Sequence, residues 1–162
     1  MNGLIDTLRQ SDIATAIREG DYLFPSIECV HVLALCIVVG SILVVDLRLL
    51  GLASRGRPVR QVITSIVPLT LAAFAVAAAA GGLLFISKAD KYLENGFFLA
   101  KLGLIAAAGL NMAVFHLVTG RDLDRWGAEP PTGAKIAGGL SLFLWISVVA
   151  CGRWIGFTMA VN

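Results

Sequence analysis

Four ionisable residues stand inside long apolar runs of this chain: Glu28 and His31 in one run, Lys101 in a second and Arg153 in a third. Ionisable groups are expensive inside a bilayer, so each of them marks a candidate functional site. A neutral imidazole is a good ligand for haem iron or copper. Two cations at one level suit the propionates of a haem or another anionic head. A nearby carboxylate such as Glu28 suits orienting the ligand imidazole or relaying a proton. The same four side chains also suit a closed network, with Glu28 paired to Lys101 or Arg153 and His31 bonded to one of them. Lys101 and Arg153 are in addition long enough to snorkel towards water.

The elements that must position these groups are membrane spans. Hydrophobic residues make up 57% of the 162 residues and charged residues only 15%, against about 25% charged in a soluble domain. Mean hydropathy is +0.83. That composition excludes a disordered chain, a coiled coil and a soluble nucleic-acid binder, and a net charge of +2 is too small to imply a polyanion. A spanning helix needs about 20 mostly apolar residues. Four segments qualify, at about 24–50, 62–86, 97–118 and 135–157. Ser11 as a cap and Gly20 as a stop predict a short helix over about 12–19, too short to cross and expected to lie on the surface. Pro25 suits the first turn of the span that follows, and Pro68 is expected to kink the second. The expected fold is all-α: one domain over 1–162, an integral membrane four-helix bundle with an N-terminal interfacial helix. Lipid is its expected environment.

Depth sorts the polar residues into two layers. At about 1.5 Å of rise per residue, His31 lies ~10 Å below Phe24, Lys101 lies ~6 Å below Phe97, and His116 lies ~28 Å below Phe97. Glu28, His31, Lys101 and Arg153 therefore share the outer layer, although they come from three spans. Glu28 and His31 are spaced to share a helix face, and His31 continues as the stripe Leu35, Val38, Ile42 and Leu49. His116 sits almost a membrane thickness from His31, so the two histidines are not expected to ligate one metal. Asp46 ends the first span at the level of His116, which suggests an Asp46–His116 hydrogen bond. Asn111 is placed to bond a neighbouring helix.

Charge between the spans sets the expected orientation. Arg48, Arg55, Arg57 and Arg60 with Arg121, Arg125 and Lys135 put seven basic residues on one side. Arg9, Arg18, Lys88 and Lys91 put four on the other. The positive-inside rule then places both termini outside, in an inner (plasma) membrane. The N-terminus has no basic region of the kind that opens a signal peptide, so the first span is expected to direct insertion itself. Cys29, Cys36 and Cys151 all lie in apolar stretches and read as small hydrophobes, with a Cu(I) site as the sharper alternative. Runs of small residues, such as Ala77–Ala78–Ala79–Ala80–Gly81–Gly82, allow close helix approach. They lead us to expect a homo-oligomer.

Particular residues also resemble known families. The stretch Phe24-Pro25-Ser26-Ile27-Glu28-Cys29-Val30-His31-Val32-Leu33, then Gly40 and Asp46-Leu47-Arg48-Leu49-Leu50-Gly51, with Phe98-Leu99-Ala100-Lys101-Leu102 in the third span, resembles small bacterial four-helix membrane proteins of uncharacterised families. More distantly it resembles the membrane domain of CopD copper-resistance proteins and the HemJ-type protoporphyrinogen oxidase. The latter resemblance implies haem b held by His31 and Lys101. The chain departs from that enzyme in its segment before the first span and in lacking a Trp-rich first helix. The expected function is thus a membrane redox protein, with His31 as axial ligand to haem b, Lys101 as opposite ligand or propionate partner, Arg153 as propionate partner and Glu28 behind the ligand. A redox partner would be implied. The alternatives are copper handling, small-solute transport, or a structural subunit without chemistry. No phosphate loop, zinc motif or nucleophile triad is present.

Overall fold

The computed structural model describes residue 7 and residues 10–126 and 129–161, without the side chains at 122, 124, 125, 160 and 161. Arg9 and the side chain of Arg125, both used in the charge comparison, lie outside the described residues.

Helix α1 spans Asp12–Glu19. The Ser11 hydroxyl accepts a hydrogen bond from the amide of Ala14 at 3.3 Å, satisfying one of the free N–H groups of the first turn. Ala14 and Ile17 are buried on one face, and that face packs chiefly on the second span rather than on the first. Helix α2 runs over Leu23–Leu49, with Pro25 in its first turn. It stops where Gly51 takes φ +74°, a conformation that an L side chain rarely adopts. The Leu52 amide then reaches Leu47 O at 2.9 Å and the Gly51 amide reaches Arg48 O at 3.1 Å. These two bonds satisfy carbonyls of the last turn as a Schellman ending does.

Helix α3 covers Val59–Ser87 and continues through Pro68. It breaks at Lys88, where the chain restarts as α4, Ala89–Glu94. Helix α5, Gly96–Leu117, is capped by Asn95, whose Oδ1 accepts from the amides of Phe97 and Phe98. A 3-10 turn over Thr119–Arg125 leads towards α6, Thr132–Val161. Helices α2, α3, α5 and α6 are each long and apolar enough to cross a membrane. The all-α four-span bundle is therefore what the chain forms, and each span lies within a few residues of its expected position.

Helices α2 and α3 form one hairpin, and α5 and α6 form another. The hairpins meet mainly where α2 lies against α6. Lipid provides no hydrophobic drive between spans, so small residues and polar bonds bring them together. A Cβ on Gly138 would come within 3.0 Å of Leu49 Cβ and 3.1 Å of Asp46 O, so the α2–α6 crossing needs glycine there. Ala73, Ala77 and Ala80 form the buried face of α3. Asn111 Nδ2 donates to Ala137 O at 3.0 Å, tying α5 to α6 as its position suggested. The Thr70 hydroxyl lies 2.8 Å from the Ser41 hydroxyl between α2 and α3. An apolar cluster of buried residues, Leu49, Val59, Ile63, Phe115 and Ala134, sits at the arginine-rich end.

Candidate functional site

At the opposite end His31 is half-buried on α2, facing α3. Its Nδ1 lies 2.7 Å from Ala77 O. A carbonyl only accepts, so Nδ1 carries the proton and the lone pair is left on Nε2. The ring lies against α3 because the next turn presents Gly81. A Cβ there would stand 2.9 Å from His31 Cε1 and 3.3 Å from Nδ1. Ala77 and Gly81, one turn apart, thus form the seat of the imidazole. Sequence reasoning missed this seat: Gly81 read as one of many small residues, and a backbone acceptor leaves no mark in the side-chain pattern.

Lys101 is half-buried on α5 and turns towards α6, where a Cβ on Gly152 would meet its Nζ at 3.4 Å. Lys101 and Glu28 both lie within electrostatic range of His31. Glu28 itself is exposed. Rings pack at the same end: Phe85 of α3 stacks on Phe98 of α5 at 5.5 Å, and Tyr92 of α4 lies 5.2 Å from Phe98. These rings bring α5 against α3 and α4. Burial, and then the neighbouring Glu28 carboxylate, raise the Tyr92 phenol above its ordinary pKa, so it stays protonated. Lys88 sits over the ring of Phe24 at 4.8 Å.

Of the four expected site residues, the fold gathers Glu28, His31 and Lys101. It turns Arg153 outward, exposed, with its guanidinium 4.5 Å from the ring of Phe157. Position along the span placed Arg153 at the right depth but could not give its direction around the helix. The orienting contact to the imidazole comes from Ala77 O. Cys29 and Cys36 are exposed on the apolar surface, while Cys151 is half-buried beside Lys101.

The expected Asp46–His116 pair does not form. His116 is exposed and its Nδ1 bonds Met112 O of its own helix at 2.9 Å. Asp46 is only 4% exposed, has Ser141 of α6 beside it, and leaves Oδ2 without a partner. Successive residues of a helix point about 100° apart. With Phe115 buried in the core cluster, its neighbour His116 is turned away from α2.

Among the described residues, no three His, Cys, Asp or Glu side chains converge as a metal-binding group. The donors at the His31 end are the His31 imidazole and the Lys101 amine, with the exposed Glu28 carboxylate and the Cys151 thiol near them. A bare ion needs several converging protein donors, whereas a macrocycle that brings its own equatorial nitrogens needs only axial ones. A haem would need only His31 and Lys101 from this set, with no third protein donor.

Residues 20–158 match the family described as "Family of unknown function (DUF6644)". The chain belongs to that family. The DUF6644 match takes in α2 to α5 and nearly all of α6, including Glu28, His31, Gly81 and Lys101, and leaves α1 outside. No curated protein and no solved structure matches the chain.

Proposed function

We propose that this DUF6644 chain is a membrane redox protein that holds haem b at the His31 end of its bundle. The observation that carries the reading is the hydrogen bond from His31 Nδ1 to Ala77 O. Histidines that ligate metals nearly always donate their other ring N–H to a carbonyl or carboxylate, which fixes the tautomer and the ring plane. Here that condition is met before any ligand arrives, and Nε2 has no partner among the described residues. The resemblance of His31 and Lys101 to the HemJ-type pattern points the same way.

Bound haem would supply one-electron chemistry at its iron. The chain's own residues would do the rest. His31 Nε2 would hold the iron, with the ring fixed by Ala77 O and Gly81. Lys101 would serve as a second ligand or offer its charge to a propionate. Arg153, exposed at the same end, is available to a propionate at the rim. Glu28 would balance charge beside the imidazole. The stacked rings of Phe85, Tyr92 and Phe98 would keep water from that end. The bias of seven basic residues against four supports an arrangement in which this end faces outward in the plasma membrane. Gly40, Gly82, Gly103, Gly109 and Gly156 have open space where a Cβ would point. That supports a homo-oligomer packed through these faces.

The test is an optical spectrum of the chain purified after expression with ample haem, with metal analysis of the same sample. A Soret band that shifts on dithionite reduction is expected. A colourless protein that carries stoichiometric copper would replace the haem reading with a copper site. A colourless, metal-free protein would leave Glu28, His31 and Lys101 as packing polar groups.

A further inference from the structure

The arginine-rich end holds a feature that electron transfer at His31 does not use. Arg48, in the last turn of α2, is 2% exposed. Its Nε donates to Arg57 O at 3.0 Å, which draws the loop after α2 over the guanidinium. Its Nη1 is buried with no hydrogen-bond partner among the described residues. A buried donor left unsatisfied is costly, and more so when charged. Asp46, two residues earlier, does not bond Nη1, although its own Oδ2 is also unpartnered. Residues two apart do not face each other on a helix.

Arg48 lines a cavity of about 630 Å³ between the α2–α3 loop and the 3-10 turn. Arg55, Arg57, Arg60, Gln61 and Trp126 line it as well, and no Asp or Glu does so among the described residues. The side chains of Asp122 and Asp124, on either side of the lining residue Leu123, lie outside the described residues. The cavity is far larger than one ordered ion or water requires. Trp126 is the residue type that collects at headgroup level. A planar guanidinium matches the oxygens of a phosphate bidentately, and several of them together are the usual means of holding one.

We propose that this cavity binds a phosphate group, with the buried Arg48 as its anchor and the Arg55 and Arg57 side chains closing on it. Two sources carry that chemistry: the headgroup of an acidic phospholipid in the leaflet at this end, or a free phosphate compound in solution. Basic pockets between spans at the membrane surface suit the first.

The experiment uses the full chain in mild detergent, with two probes. Inorganic phosphate is titrated against chloride at equal ionic strength, following the thermal midpoint. Phosphatidylglycerol is added separately, and its retention is read by native mass analysis against phosphatidylcholine. The variants are Arg48→Gln, Arg57→Gln and, as control, Arg121→Gln, which is exposed and does not line the cavity. Losing one charged hydrogen bond of about 1.5–3 kcal/mol corresponds to tenfold or more in affinity. Saturable binding of either probe, weakened about tenfold or more by Arg48→Gln or Arg57→Gln and unchanged by Arg121→Gln, supports the site. Retention of phosphatidylglycerol alone assigns it to lipid, and a phosphate response alone assigns it to a soluble compound. If Arg48→Gln fails to fold, Arg57→Gln decides, because its backbone carbonyl still receives Arg48 Nε. Binding of neither probe, or equal weakening by Arg121→Gln, overturns the proposal.

Discussion

The two ends of this bundle solve the problem of polar groups in an apolar fold in opposite ways. At the arginine-rich end, an apolar cluster is buried beside the cavity of about 630 Å³. Leu49, Val59, Ile63, Phe115 and Ala134 pack together, and Asp46 and Arg48 are buried at the same end, each with one atom that has no partner among the described residues. At the His31 end, the stacked rings of Phe85 and Phe98 join the hairpins, and the ionisable groups stay half-buried or exposed. The imidazole there is fully oriented, yet it is held by backbone and by an absent side chain. A buried cluster with buried charge fixes a shape. An oriented imidazole whose Nε2 has no partner among the described residues leaves one nitrogen for chemistry. Stability is therefore expected to come from the first end and chemistry from the second.

The contrast breaks most visibly at Gly81. Gly81→Leu places a side chain where the His31 ring lies, so the ring must leave Ala77 O. Bound haem is expected to fall to the level of a chain lacking His31, with helicity by circular dichroism unchanged. Retention of full haem by Gly81→Leu would show that the Ala77–Gly81 seat does not position the ligand.

A smaller effect is expected from the core. Phe115→Ala should destabilise the chain by about 3 kcal/mol, the lower end of the range for such truncations, because a span side chain loses packing more than it leaves water. Reversible unfolding in detergent measures it. The haem-to-protein ratio of the folded fraction should not move. A loss of haem without a loss of stability would erase the distinction between the ends.

The smallest effect belongs to the polar bond linking the second hairpin. Asn111→Ala removes the bond to Ala137 O and should cost about 0.6 kcal/mol, typical of bonds between spans. The same unfolding measurement reads it, and a cost as large as that of Phe115→Ala would mean that Asn111 organises more than the α5–α6 contact.

Much of this fold was legible in the chain, because a bilayer demands long apolar helices and these cannot hide. The four spans, the Ser11 cap, the stop at Gly20 and the role of Asn111 all follow from composition and local chemistry. Helix α4 was not legible. Its six residues are too few to show a period, and the break before it depends on Lys88 leaving helical backbone. At the candidate site, the penalty on charge inside apolar runs singled out His31 and Lys101, and they do lie in range of each other. Depth alone failed where rotation about a helix axis decides. Arg153 faces Phe157, and His116 turns away from Asp46. The Ala77 carbonyl and the open place at Gly81 carry no side chain, so nothing in a list of residue types could announce them.

The most direct test compares the two histidines, one at each end, by haem-to-protein ratio in purified His31→Ala and His116→Ala chains expressed with ample haem. His31→Ala is expected to purify colourless and His116→Ala to keep the wild-type Soret band and its shift on reduction. Loss of the band in His116→Ala with its survival in His31→Ala would contradict the assignment and move the site to the arginine-rich end.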